Sequence, residues 1–141
     1  MDGFDERYLH LFVWNAAKQE IVGAYRLAGT DVTRDLYTAT LFKYTGDFLD
    51  KLGPALELGR SFVRPEYQRG FAPLLALWKG IGAYVARNPR YKTLFGPVSI
   101  SNQYQAVSRE LMVTFLERDA SLLDWASLIS RFRRSVWVAG P

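Results

Sequence analysis

The stretch Ala55–Arg87, ALELGRSFVRPEYQRGFAPLLALWKGIGAYVAR, constrains this chain more than any other. Its first part, Leu56 to Val63, has the length and the β-branched and aromatic content of a strand. Arg64-Pro65 breaks that run, because proline drives its predecessor into extended geometry and has no N–H for a ladder. From Phe71 the period changes. Phe71, Leu74, Leu75, Trp78, Ile81 and Val85 recur at three- and four-residue steps and predict one face of a helix. Pro73 suits the first turn of that helix, where a missing N–H is no loss. A strand therefore runs through a polar turn, Gln68-Arg69-Gly70, into an amphipathic helix. Backbone N–H groups, the positive end of a helix dipole and an arginine converge there, and that convergence suits a phosphate.

The flanks extend this unit. Tyr8–Trp14 and Glu20–Leu27 read as two strands joined by the turn Ala16–Gln19, after a short acidic-polar segment, Asp2–Arg7. Leu36–Phe42 is ambiguous between strand and extended connection. Gly46–Gly53 can hold one helical turn around Phe48, Leu49 and Leu52, closed by Gly53. Thr93–Ile100 reads as a further strand interrupted at Gly96-Pro97. Ser101 and Asn102 are good N-caps for a helix with Val107, Leu111 and Phe115 on one face. Ser121 or Asp124 caps another, with Leu122, Trp125, Ile129 and Phe132 inward, and VWVA in the tail 135–141 is an edge strand or unanchored. The fold class is α+β: a mixed sheet with an antiparallel N-terminal hairpin, a strand–helix–strand crossover, and helices on both faces. The strands at Leu56–Val63 and Thr93–Ile100 are expected to be parallel neighbours that diverge at their C-terminal ends.

At 141 residues, 49% of them hydrophobic and 15% aromatic, the chain is long and apolar enough for one domain with a real core. No apolar run approaches a membrane span, and the N-terminus lacks the regions of a signal peptide. With no cysteine there is no disulfide or thiolate metal site, and a single histidine argues against zinc. A cytoplasmic location fits, free or peripheral at a membrane. The net charge of +4 favours an anionic partner, whether an acidic protein, an anionic membrane surface or a phosphorylated co-substrate. Nucleic acid is not expected, because no binding motif accompanies the charge.

The order of elements and the turn PEYQRGFA at Pro65–Ala72 resemble the acyl-coenzyme A N-acyltransferase (GNAT) superfamily. Four blocks are more specifically similar to its ornithine-lipid and "hemolysin-related" N-acyltransferases, relatives of the acyl-homoserine-lactone synthases. They are VGAYRL at Val22–Leu27, ELGRSFVRPEYQRG at Glu57–Gly70, LWKGIGAYVA at Leu77–Ala86 and LFGPVSISNQY at Leu94–Tyr104. The resemblance implies an N-acyltransferase of lipid synthesis with no tightly bound cofactor. Its co-substrate would be an acyl-phosphopantetheine thioester, carried by acyl carrier protein rather than free coenzyme A, and its acceptor an amine. Two departures stand out. The phosphate turn, Gln68-Arg69-Gly70-Phe71-Ala72, is one residue shorter than the superfamily pattern. The helical segment that normally precedes the first strand is missing, as it would be in an excised domain.

Residue chemistry agrees at several points. Gly59 inside a strand suggests a bulge, and one inserted residue would bring Glu57 and Arg60 to the same side as a base-and-positioning pair. Backbone N–H groups near Phe62 and Val63, freed where strands splay, would hold the thioester arm. Arg64, Gln68, Arg69, Gly70, Phe71 and Ala72 would hold the phosphate or the acidic carrier. Tyr104, opening the helix after the last strand, stands where relatives place an acid for the leaving thiolate. Arg26 matches the family's VGxxRL block and could hold an acidic acceptor, with His10 and Asn102 as further acceptor-side candidates. His10 also reads as a satisfied structural histidine, and Gly80-Ile81-Gly82 reads as close helix–sheet packing rather than a dinucleotide turn. Arg131, Arg133 and Arg134 form a basic cluster that suits a helix end or an anionic surface. The rival reading is a non-catalytic module of the same fold that docks carrier protein or membrane.

Overall fold

The computed structural model describes residues 2–44, 46–97, 103–119, 129–130 and 136–139. Strands β1 (Leu9–Asn15) and β2 (Glu20–Gly29) form the expected hairpin, with Leu9 opposite Leu27 and Asn15 opposite Glu20. Helix α1 (Tyr37–Leu41), β3 (Lys43–Tyr44) and α2 (Phe48–Leu52) follow, then the long strand β4 (Ala55–Val63). A 3-10 turn at Pro65–Tyr67 leads into α3 (Ala72–Arg87), and β5 (Thr93–Pro97) closes the crossover. Helix α4 (Ala106–Asp119), β6 (Ile129–Ser130) and β7 (Val136–Ala139) complete the order. The main sheet runs β1-β2-β4-β5-β7, and β3 pairs with β6 in a second, small sheet.

β4 and β5 are parallel and adjacent, as expected for a strand–helix–strand crossover. Their ladder spans only Ala55↔Thr93 to Glu57↔Phe95, while β4 continues to Val63 and β5 continues on its other edge with β7. Gly96 marks the parting. A Cβ there would lie 2.0 Å from the Leu58 carbonyl oxygen, so only glycine lets the strands pass at this point. Pro97 then offers no N–H to either neighbour. The sequence VWVA does form an edge strand, antiparallel to β5.

The sheet has two apolar faces. On one, Leu27 and Leu56 pack with Ile81 of α3 and with Tyr91. On the other, Tyr8, Ala28, Ala55 and Phe95 pack with Leu36, Phe48 and Leu52 around α1 and α2. Three expectations need correction. Within Leu36–Phe42 only the two end residues are extended and Tyr37–Leu41 is helical, because α1 forms where the backbone N–H groups of Tyr37 and Thr38 find an acceptor in Glu57. The buried line of α3 is Leu77 and Ile81, each 1% exposed, whereas Phe71, Leu74, Leu75 and Trp78 are exposed. Leu77 and Ile81 lie four apart and face the sheet together, which the longer stripe obscured. Ile129 lies in a strand opposite Tyr44 rather than on a helix face.

Other details follow the sequence. Gly53 closes α2 with a positive φ of 64°. Gly80 allows α3 to press on Leu11, whose nearest atoms would stand 3.0 Å from a Cβ, although Gly82 faces open space. Val107, Leu111 and Phe115 do share one face of α4, and that face is exposed. Residues 98–102, with Asn102, lie outside the described residues, as do Leu122, Trp125, Phe132 and the cluster Arg131, Arg133, Arg134.

Candidate active site

The site begins with a bulge. Arg26 stands opposite Gly59 and Ala24 opposite Phe62, so Tyr25 alone opposes both Arg60 and Ser61. The extra residue is at the expected place, but the left-handed conformation belongs to Arg60, with φ 47°, and not to Gly59. A non-glycine residue held there stores backbone strain, and such strain gathers at functional sites. Beyond the bulge β4 is exposed from Arg60 to Phe62, because β5 no longer covers it.

Glu57 lies just before the bulge and is fully buried. Its Oε2 accepts the Tyr8 hydroxyl and the Tyr37 N–H at 3.3 Å, and its Oε1 accepts the Thr38 N–H at 2.7 Å. Burial first, and then the bond to Glu57, push the Tyr8 phenol far above its ordinary value. Burial also pushes Tyr44, hydrogen-bonded to Thr38, up to about 12. Glu57 and Arg60 do not pair with each other. Arg60 Nη1 sits 3.2 Å from Asp2 and 3.5 Å from Asp5.

The same two aspartates hold Arg26, whose Nη1 donates to Asp2 at 2.8 Å and to Asp5 at 2.9 Å. Arg26 is 1% exposed, and its guanidinium is ringed by Phe4, Tyr8 and Tyr37 at 4.9 to 5.6 Å from their centroids. The Asp2 carboxyl is pushed up by burial, but the Phe4 N–H and Arg26 outweigh this and hold it below the ordinary value. The Asp2 N–H and Arg26 hold Asp5 low in the same way. His10 Nε2 lies 2.9 Å from the Asp5 carbonyl oxygen.

Sequence reasoning singled out Glu57, Arg60, Arg26 and His10 and passed over Asp2, Phe4, Asp5, Tyr8, Tyr37 and Thr38. The available signal was a pair of aspartates three apart, directly ahead of a strand carrying a tyrosine at its start. A polar leader of that kind reads as a solvated terminus until its partners are known.

The turn at Gln68–Ala72 follows the far end of β4. Arg64 N–H bonds the Val22 carbonyl on β2. Strand alternation therefore turns the Phe62 N–H toward β2 and the Val63 N–H toward the side that β5 has left. Gln68 folds back on the Val63 carbonyl at 2.6 Å. Arg64 is held by Glu66 and Glu20, which raise its pKa, whereas Arg69 makes no ion pair among the described residues. Tyr67 ties the turn to the hairpin tip through Glu20 at 2.6 Å and Asn15 at 3.0 Å. Gly70, Phe71 and Ala72 lead into α3 with no side chain capping its first N–H groups. A helix N-terminus of this kind, with no side-chain cap, is favourable to negative charge. Tyr104 is half-exposed two residues before α4 and shares no hydrogen bond with Glu57 or Arg60.

Comparison with known proteins agrees with this arrangement. The family described as "Acetyltransferase (GNAT) domain" matches residues 1–79. A glycine N(alpha)-acyltransferase of Bacteroides thetaiotaomicron is 37% identical over 83% of this chain and 39% of its own length. L-ornithine N(alpha)-acyltransferases of Rhodobacter capsulatus and Brucella abortus are 35% and 33% identical, over 70% and 87% of this chain and 40% and 46% of their own. The chain thus spans less than half the length of these relatives. No solved structure matches it. A parallel β4–β5 pair that parts beside a phosphate-type turn, together with this match over more than half the chain, places the protein in the GNAT acetyltransferase-domain family.

Proposed function

We propose that this chain is the acyl-transfer core of an N-acyltransferase that moves a fatty acyl group from a phosphopantetheine thioester to an amine, in lipid synthesis. The observation that carries this reading is the parting of β4 from β5 after Glu57↔Phe95, which leaves the Val63 N–H, just ahead of the turn at Gln68–Ala72, on the side without a β5 partner. A phosphopantetheine arm would lie there, with its phosphate at Arg69, Gly70, Phe71 and Ala72, and with Phe62, Arg64 and Gln68 shaping the turn. The donor would be acyl carrier protein in preference to coenzyme A, since the turn is short and the net charge is +4. An anionic membrane surface would attract the same charge from the cytoplasmic side.

In the reaction the amine nitrogen attacks the thioester carbonyl, the C–N bond forms and the C–S bond breaks. Glu57 would take the amine proton, directly or through water, with Arg60 positioning it. Tyr104 would return a proton to the leaving thiolate. Arg26, His10 and Asn102 would lie on the acceptor side. Glycine and L-ornithine, the acceptors named for the relatives, are the first amines to try.

Acylated carrier protein and acyl-coenzyme A should be incubated in parallel with the chain and each amine, and acylated amine measured by mass spectrometry. Product from the carrier-protein donor supports the proposal. Absence of product from either donor with every amine sinks it. That outcome would leave the non-catalytic docking module, a reading favoured by the complete burial of Glu57 beneath Tyr8.

A further inference from the structure

Buried donors in folded proteins are almost always matched by acceptors, and an unmatched charged donor is costly. Arg26 breaks this rule. Its Nη1 serves Asp2 and Asp5, but its Nε and Nη2 are buried and find no partner among the described residues. The two orphaned N–H groups are adjacent on one edge of the planar guanidinium. They point the same way and match the spacing of two carboxylate oxygens. The guanidinium is surrounded by the rings of Phe4, Tyr8 and Tyr37. Phe4 belongs to the N-terminal turn and leans edge-on against Tyr8 and Tyr37, with ring centroids 5.8 and 5.7 Å apart.

We propose that the Nε–Nη2 edge of Arg26 is a carboxylate subsite that takes the carboxylate of a free amino acid whose amine is to be acylated. This rests on the acyl-transfer reading above. Access requires the turn carrying Phe4 to move aside. Charge balance favours a zwitterion over a simple carboxylate. Asp2 and Asp5 already neutralise Arg26 and Arg60 pairwise, so a ligand without net charge avoids burying an unpaired one. Arg26 thereby becomes the residue that separates amino acids from amines lacking a carboxylate. The carboxylate site also lies next to the proposed base, because Tyr8 touches both Arg26 and Glu57.

The test uses the whole chain and the side-chain Nε–H resonance of Arg26, titrated with glycine and with glycinamide, which keeps the amine and loses the charged carboxylate. Glycine should shift that resonance saturably, and glycinamide should not. Arg26→Lys keeps the charge but lacks the fork. It should bind glycine roughly tenfold or more weakly, with its fold checked by thermal midpoint. The proposal is overturned if glycinamide shifts the resonance as far as glycine does. It is also overturned if glycine leaves the resonance unmoved up to about 10 mM, above the usual range of substrate constants. Should Arg26→Lys fail to fold, the titration of the parent still decides. A chain in which glycine shifts Arg26 but no acylglycine forms from either donor keeps the carboxylate subsite and rejects the acyl-transfer reading.

Discussion

Glu57→Gln separates two roles that the geometry gives one carboxylate. Glu57 is a clamp, accepting three hydrogen bonds that hold Tyr8 and the start of α1. It is also the proposed base. In the glutamine variant the amide oxygen stays on the Thr38 N–H. The amide NH2 meets the Tyr8 hydroxyl, which turns to accept it, and the Tyr37 N–H keeps its 2.8 Å bond to the Tyr8 oxygen. The Tyr8 O–H then loses the acceptor it had in Glu57, and two charge-assisted bonds become neutral ones. The loss is about 1–1.5 kcal/mol for each bond and about 1–3 kcal/mol for the orphaned O–H, about 3–6 kcal/mol in all. For a chain of this size that lowers Tm by roughly 10–20 °C. The variant should still be folded at 25 °C, and its acyl-transfer rate should fall on the order of a hundredfold to ten-thousandfold. Calorimetry and single-turnover acylation of glycine, on the same preparation, read the two effects separately. A variant within about 0.5 kcal/mol of the parent refutes the clamp argument. A folded variant within about threefold of the parental rate refutes Glu57 as base, since removing a general base costs far more.

Gly96→Ala should destabilise by about 1–3 kcal/mol, because a Cβ would lie 2.0 Å from a backbone carbonyl that cannot rotate away; Gly82→Ala, facing open space in a helix, should stabilise by up to about 1 kcal/mol, and urea titration compares them. Asp2 and Asp5 are held below their ordinary value of 3.8 in the folded chain, so the unfolded chain binds protons first as pH drops. Their contribution is present above that value and lost as pH falls through the folded pKa. Asp2→Asn with Asp5→Asn should flatten the stability loss between pH 5 and 3, and an unchanged acid limb contradicts the assignment. Arg69→Ala should weaken binding of acylated carrier protein and reduce its salt dependence, because exposed charges are screened over about 8 Å at physiological ionic strength. An unchanged salt dependence removes Arg69 from the docking surface.

Local chemistry alone is enough to read the hairpin, the turn and the crossover. Strand periodicity, the break at Arg64-Pro65 and the helix opening at Pro73 act within a few residues of chain, so β4, α3 and the parallel β5 follow from the order of residues. The bulge, the cap at Gly53 and the tight passage at Gly80 are legible for the same reason. The family blocks likewise bring out Glu57, Arg60 and Arg26, though not what they touch. Tertiary structure decides their partners. Asp2 and Asp5 lie more than twenty residues from Arg26, and Tyr8 lies 49 from Glu57. Contacts at that separation leave no periodicity in the sequence. The five-residue helix α1 depends on the same kind of contact, since too short a segment cannot stabilise a helix by itself and this one starts on a glutamate from another strand. The fork of Arg26, unpartnered among the described residues, is the clearest case. A sequence shows that an arginine is present, but only the packing around it shows which of its donors are already taken.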